Sequence, residues 1–178
     1  MRIVDFRSDT KTLPTHEMRK AMANAEVGDD VSGEDPSVNR LEEMAANLLG
    51  KDAGLLVSSG TMGNLVAILT HCQRGDEVIV GDQSHIVRGE AGGASVLGGV
   101  VLQTIPTDSQ GMRVSELENL LLDGLRPNLV YIIPTFQNPT GLCLSNDRRT
   151  QLISLANKFD FHILADEVYQ LIYFEDLP

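Results

Sequence analysis

A chain of 178 residues is long enough for one domain with a sizeable buried core. Its 25 acidic and 14 basic side chains give a net charge of −11, which excludes the clustered Lys and Arg surface that a nucleic-acid partner needs. Hydrophobic residues at 42% and charged ones at 22% are ordinary for a globular fold, and no apolar run reaches the length of a membrane span.

The first residues, Met1-Arg2-Ile3-Val4-Asp5-Phe6-Arg7, lack the apolar core of a secretory signal. Thr15 caps a predicted helix with apolar positions at Met18, Ala21, Met22 and Ala25 and a stop at Gly28. Asp35-Pro36 opens a second helix with Val38, Leu41, Met44, Ala45 and Leu48 as its stripe and Gly50 as its end. Strands and helices then alternate. Residues 54–57 read as a short buried strand, 62–72 as a helix, and 77–80 and 100–105 as β-branched strands. Ser115-Glu116-Leu117-Glu118 reads as a capping box before a Leu-rich helix, and 129–133 as a strand. Residues 145–159 follow as a helix with Leu152, Ile153, Ala156 and Phe159 on one face, and 161–165 as a last strand. This alternation predicts an α/β fold of three layers, a mostly parallel sheet between helices. The two cysteines, Cys72 and Cys143, have no metal-ligand spacing and imply a reducing compartment, so a cytoplasmic location is expected.

In such a sheet ligands bind beyond the carboxyl ends of the strands. Ser58-Ser59-Gly60-Thr61 is predicted at such an end, at the start of a helix. Free amides and the helix dipole favour an anion there, and Gly60 permits close approach. The segment is neither a Gly-Lys-Ser/Thr nucleotide loop nor a G-x-G-x-x-G turn, and a plain helix cap is the other reading. Asp166 follows a predicted strand, so its carboxylate is expected at the same edge. There it would keep a pyridine-type nitrogen protonated; a capping or ion-paired Asp is the alternative. Asn138, just past another strand, and Tyr169 are candidates for hydrogen bonds to a ring hydroxyl, with the Asn138-Pro139 bond expected cis. His85 ends the region after the 77–82 strand and is either a ring-stacking group or a solvated loop histidine. The acidic stretch from Gly28 to Asp35 does not meet a calcium-loop pattern, and no metal site is expected.

The motifs Asp5-Phe6-Arg7-Ser8-Asp9-Thr10, Val27-Gly28-Asp29-Asp30-Val31-Ser32-Gly33-Glu34-Asp35-Pro36, Ser58-Ser59-Gly60-Thr61-Met62-Gly63-Asn64, Arg74-Gly75-Asp76-Glu77-Val78 and Ser84-His85-Ile86 resemble the low-specificity L-threonine aldolases. That likeness runs over about residues 5–118. From about Leu129 the chain is similar to class I/II aminotransferases, through Tyr131-Ile132-Ile133-Pro134-Thr135-Phe136-Gln137-Asn138-Pro139-Thr140-Gly141 and Ala165-Asp166-Glu167-Val168-Tyr169. Both families share the fold type I large domain that binds pyridoxal 5'-phosphate (PLP). By this resemblance Ser59, Gly60 and Thr61 would hold the phosphate, and His85 would stack on the ring. Asp166 would face the ring nitrogen, Asn138 and Tyr169 the ring oxygen, and Ser8 the substrate carboxylate; His85 and Asp166 would be the catalytic pair. The chain departs from the aldolase pattern at Gln137, where the family has histidine, at Asp166-Glu167-Val168-Tyr169 for Asp-Gly-Ala-Arg, and at Ser32 for tyrosine.

The resemblance divides the chain into an N-terminal helical arm, 1–50, and a partial PLP-binding large domain, 51–178, without the smaller C-terminal domain. Lys11, Lys20, Lys51 and Lys158 match no cofactor-attaching lysine motif. The implied function is that of an aldehyde-lyase, cleaving L-threonine or L-allo-threonine to glycine and an aldehyde, with this chain inactive by itself. An aminotransferase and a non-catalytic PLP-binding or assembly fragment are the alternatives. The implied partners are a small amino acid and further copies of the chain, as a dimer or tetramer, with no nucleic acid and no membrane.

Overall fold

A computed structural model describes residues 4, 5 and 7–174. Residues 1–3 and 6, on which part of the leader and motif readings falls, and 175–178, the end of the expected large domain, lie outside the described residues. The chain divides into two compact units, Met1–Leu56 and Val57–Pro178.

In the first unit a short 3-10 turn, Asp9–Lys11, precedes helices α1 (His16–Ala23) and α2 (Pro36–Leu49). Thr15 caps α1 by accepting the Met18 amide at 3.2 Å. The helix stops well before Gly28, because the Asn24 side chain donates to the Lys20 carbonyl at 2.7 Å, a local bond that competes with another helical turn. Asp35 caps α2 through the Ser37 and Val38 amides and takes the Gly28 amide on its other oxygen. Those amides, Val38 first and then Gly28, hold its carboxyl below the usual range. The acidic stretch is thereby a closed loop, and a Cβ at Gly28 would stand 2.2 Å from the Glu34 carbonyl oxygen. Gly50 closes α2 in the left-handed region, at φ 61. Of the expected stripe, Leu41, Met44 and Leu48 are exposed, and Ala46 is the buried position. Residues 54–57 form no strand. The chain there is held against α2 instead: the Leu56 amide donates to Glu42 Oε1 at 2.7 Å, and a Cβ at Gly54 would meet the Glu42 carbonyl oxygen at 2.7 Å.

The second unit is built on a parallel sheet of β1 (Glu77–Gly81), β2 (Val101–Ile105), β5 (Leu129–Ile132) and β6 (His162–Ala165), in the order β2-β1-β5-β6. A small antiparallel hairpin, β3 (Thr107–Asp108) and β4 (Gly111–Met112), follows β2. The helices are α3 (Gly60–His71), α4 (His85–Arg88), α5 (Gly93–Val96), α6 (Val114–Leu122) and α7 (Asn146–Phe159).

Side chains alternate across a strand, and here each face has its own core. Ile79, Ile105, Val130 and Ile132 pack with Val114, Leu117 and Leu121 of α6 and Leu152 and Leu155 of α7. Val78, Val80, Leu129 and Tyr131 pack with Ile68 of α3, Ile86 of α4 and Ala94 of α5. This is the expected three-layer arrangement. Three local expectations change. Ser115 is inside α6 and caps nothing, because burial of Val114 draws the helix start back to it. On α7 Leu155 is buried where Ile153 was expected, and Ile153 is 56% exposed. His85 opens helix α4, where a strand end was expected.

Candidate active site

All four sheet strands run the same way, so the segments after β1, β5 and β6 emerge at one edge. The N-terminus of α3 is capped by Ser59, whose Oγ accepts the Met62 amide at 3.1 Å. A hydroxyl that accepts still has its own proton to donate, so the cap reading and the anion reading are compatible. No atom lies within 4 Å of where a Gly60 side chain would begin, which leaves that turn open to a ligand. Thr61 lines a cavity of about 310 Å³ with Leu65, Glu90, Ala94 and Leu97.

One turn further along α3, Asn64 is 8% exposed. Its Nδ2 donates to Glu90 Oε1 at 3.0 Å and to Asp166 Oδ2 at 3.2 Å. The Tyr131 hydroxyl donates to the same Asp166 oxygen at 2.6 Å. Burial first, then that hydrogen bond and the charges of Asp166 and Glu90, push the phenol well above its ordinary range, with a contact from Asn64 opposing. Tyr131 is therefore a fixed donor. At the other end of the chain of bonds His85 Nδ1 lies 3.1 Å from Glu90 Oε1. Asp166 is placed by continuation of the β6 ladder, its amide donating to the Ile132 carbonyl at 2.9 Å. Both of its side-chain bonds fall on Oδ2.

The structure thus brings together, among the predicted residues, His85, Asp166 and the helix that starts at Ser59-Gly60-Thr61. Asn138 is half-buried in the turn after β5, and its bond to Pro139 is cis. Gln137 beside it is buried, and its Oε1 accepts from the amide and the hydroxyl of Thr140. Tyr169 is half-buried in the turn after β6. Ser8 belongs to the first unit, where it caps the 3-10 turn and bonds the Thr10 hydroxyl at 2.9 Å. Two buried carboxylate oxygens, Asp82 Oδ1 and Glu167 Oε2, have no partner among the described residues. Burial raises the Glu167 carboxyl above its usual range.

Asn64, Glu90 and Tyr131 are the residues that sequence reading missed. A signal for Asn64 existed: it is the polar residue in the otherwise apolar run Gly63-Asn64-Leu65-Val66-Ala67-Ile68. Glu90 and Tyr131 carry no such mark, since their partners lie far off in sequence.

The model of the beta-eliminating lyase family matches residues 5–167. Probable low-specificity L-threonine aldolase 2 of Arabidopsis thaliana is 54% identical over 174 residues, covering 93% of this chain and 49% of that one. Low specificity L-threonine aldolase of Escherichia coli (strain K12) is 48% identical over 165 residues, covering 93% of this chain and 44% of that one. The aldolase likeness therefore extends beyond Glu118 into the second half. The chain spans about half the length of the curated relatives it matches. Among solved structures, α-aminoadipate aminotransferase of Thermus thermophilus, complexed with N-(5'-phosphopyridoxyl)-L-leucine, shares the fold with a TM-score of 0.71. That match is 24% identical and covers 92% of this chain and 44% of that one.

Proposed function

This chain belongs to the beta-eliminating lyase family, and from that premise we propose that it is the cofactor-binding part of a PLP-dependent aldehyde-lyase of the threonine-aldolase kind. The observation that carries the reading is Asn64, which ties the helix bearing the anion cradle to Asp166. Asn64 lies four residues past Gly60, a rise of about 6 Å along the helix, so an anion site and a carboxylate for a ring nitrogen lie a small molecule's length apart.

The residues present fit the cofactor. Ser59, Gly60 and Thr61 would hold its phosphate, Asp166 its ring nitrogen, Asn138 and Tyr169 its ring oxygen, and His85 its face. When bound, PLP supplies an electron sink for the pair released as the Cα–Cβ bond of a β-hydroxy amino acid breaks. The protein's part is positional. Tyr131 and Asn64 orient Asp166 through Oδ2, which leaves Oδ1 to accept the proton-bearing nitrogen. Substrates of this reading are L-threonine and L-allo-threonine, and the products glycine and acetaldehyde; a keto acid would indicate transamination instead.

Of the chain's lysines, Lys158 alone lies in the second unit, at the far end of α7 with its ammonium 5.0 Å from the Phe159 ring centroid. That end of α7 leads into β6, opposite the edge that carries Asp166. None of the four lysines lies in a cofactor-attaching motif, so the 178 residues are expected to bind PLP without covalent turnover of threonine, with Lys11 the substitute to test first. Among the described residues no helix is long and apolar enough to cross a membrane, and a cytoplasmic location is part of the same reading.

Gly60→Pro tests it. Proline is tolerated at a first helical position, so α3 survives while one ligand-facing amide proton is lost. A hydrogen bond to a charged group contributes about 1.5–3 kcal/mol, so PLP affinity in an absorbance titration is expected to fall tenfold or more. Equal affinity in the two proteins would overturn the proposal.

A further inference from the structure

We propose that Glu90 is a positioning residue that fixes the neutral His85 ring as its Nδ1–H tautomer, with Asn64 holding Glu90 in place. This deepens the reading of His85 given above, but the tautomer is a property of the chain itself and needs no cofactor.

The local fold creates the pair. Helix α4 is a single turn, and its last amide bond runs from Gly89 to the His85 carbonyl at 2.6 Å. The chain then returns, so that Glu90 meets the ring of the residue that opened the turn. Its carboxylate side chain is 6% exposed and the imidazole 39%, so the acid is the buried partner of the pair. A charged acceptor in such surroundings is strongly directional.

The direction of the proton follows from the neighbours. Asn64 Nδ2 contacts two carboxylate oxygens, Glu90 Oε1 and Asp166 Oδ2, and an amide NH₂ can only donate. Each of its two protons has an acceptor, and Glu90 Oε1 is thereby committed to accepting. The same oxygen is the partner of His85 Nδ1. With Oε1 committed to accepting, the proton between the two groups is carried by Nδ1, and in the neutral ring Nε2 is then the nitrogen without one. Gly89 restrains the ring from the other side. A Cβ at that position would stand 2.4 Å from Nε2 and 2.6 Å from Cδ2, so the ring occupies the space a side chain would need. Gly89 has φ −116, which any residue adopts; it is the room that matters.

The consequence is one continuous hydrogen-bonded network. His85, Glu90, Asn64, Asp166 and Tyr131 are linked in series, and every donor in it points at one of two carboxylates. A ring nitrogen held at Asp166 and a base at His85 would then be oriented by one amide, Asn64.

The test is long-range proton–nitrogen correlation on the nitrogen-15-labelled chain without cofactor, with the His85 signals assigned by their loss in His85→Gln. Wild type is expected to show the Nδ1–H pattern. Glu90→Ala is expected to revert to the Nε2–H form that an unpaired imidazole favours. Glu90→Gln, whose amide oxygen still accepts, is expected to retain Nδ1–H; a loss of packing alone would not be rescued in this way. An Nε2–H pattern in wild type, or an unchanged Nδ1–H pattern in folded Glu90→Ala, overturns the proposal. Should Glu90→Ala not fold, the wild-type spectrum decides. Because no PLP is present, failure here is separable from failure of the Gly60→Pro titration.

Discussion

Tyr131 concentrates the site's dependence on single atoms. It is fully buried on the α3 face of the sheet, and its hydroxyl makes the shortest of the bonds that hold Asp166. Tyr131→Phe keeps the ring and removes one donor to a carboxylate, so it should cost about 1.5–3 kcal/mol in urea denaturation near neutral pH. The sign of its pH dependence is also fixed. The folded phenol is held above its ordinary value, so its contribution is complete below about pH 10 and lost as pH rises beyond it, where the unfolded chain's tyrosine ionises and the buried one does not. The alkaline fall in stability should therefore be shallower in Tyr131→Phe, and identical slopes would contradict the assignment. At this scale two local readings stand in the structure: Ser59 caps α3, and the Asn138-Pro139 bond is cis. Asn64, visible as a polar residue in an apolar run, and Glu90 had no readable role, because a buried polar group is explained only by a partner that tertiary structure brings to it.

Elements were legible in proportion to their length and caps. Helix α2 announces itself by Asp35-Pro36 and Gly50, and β1, β2 and β5 by β-branched runs, and all four stand within a residue or so of expectation. Helices α4 and α5 have four residues each, too few for a period to register. Residues 54–57 have a strand's composition, but a strand also needs a ladder, and composition does not say whether one is there. The β3–β4 hairpin is fastened to α7 by Arg148. Its guanidinium grips both Asp108 oxygens at 2.7 Å and reaches the Gly111 and Met112 carbonyls. The Arg148 bond, with the Gln110 amide second, holds the Asp108 carboxyl down to about 2. That stabilisation is present above the unfolded carboxyl's pKa, about 3.9, and disappears as pH falls towards 2. Urea midpoints between pH 6 and pH 2 should accordingly drop less steeply in Arg148→Met than in wild type. A wild-type-like acid slope in that variant would show that the pair does not matter to the fold.

At the scale of the whole second unit, the period-two pattern of its strands fills two cores at once. A one-residue slip of β1 would exchange Ile79 with its neighbours and empty both. Its surface is less settled. After β6 the chain exposes Val168, Leu171, Ile172, Tyr173 and Phe174, with Leu171 75% and Phe174 98% accessible. Among the described residues β6 pairs with β5 on one side alone. Apolar surface this concentrated beside a strand edge is a surface that proteins cover, and a second copy of the chain is the occupant to test. Light scattering is expected to report mass rising with concentration, and Leu171→Asp with Phe174→Ser to lower it; a monomer at every concentration would count against the self-association expected from the sequence.

The bond between Asn64 and Asp166 joins positions 102 apart in sequence. Closing a loop of that size has an entropic cost that no local turn shares, and it is recovered only when the sheet between the two ends already exists. Helices α3 and α7, and the pairing of β1 with β2, draw on nearer contacts. The bond between Asn64 and Asp166 is therefore expected to form after the local helices and the nearer strand pairs. A chain whose sheet is not yet built carries the start of α3 and the Asp166 carboxylate as two unrelated pieces.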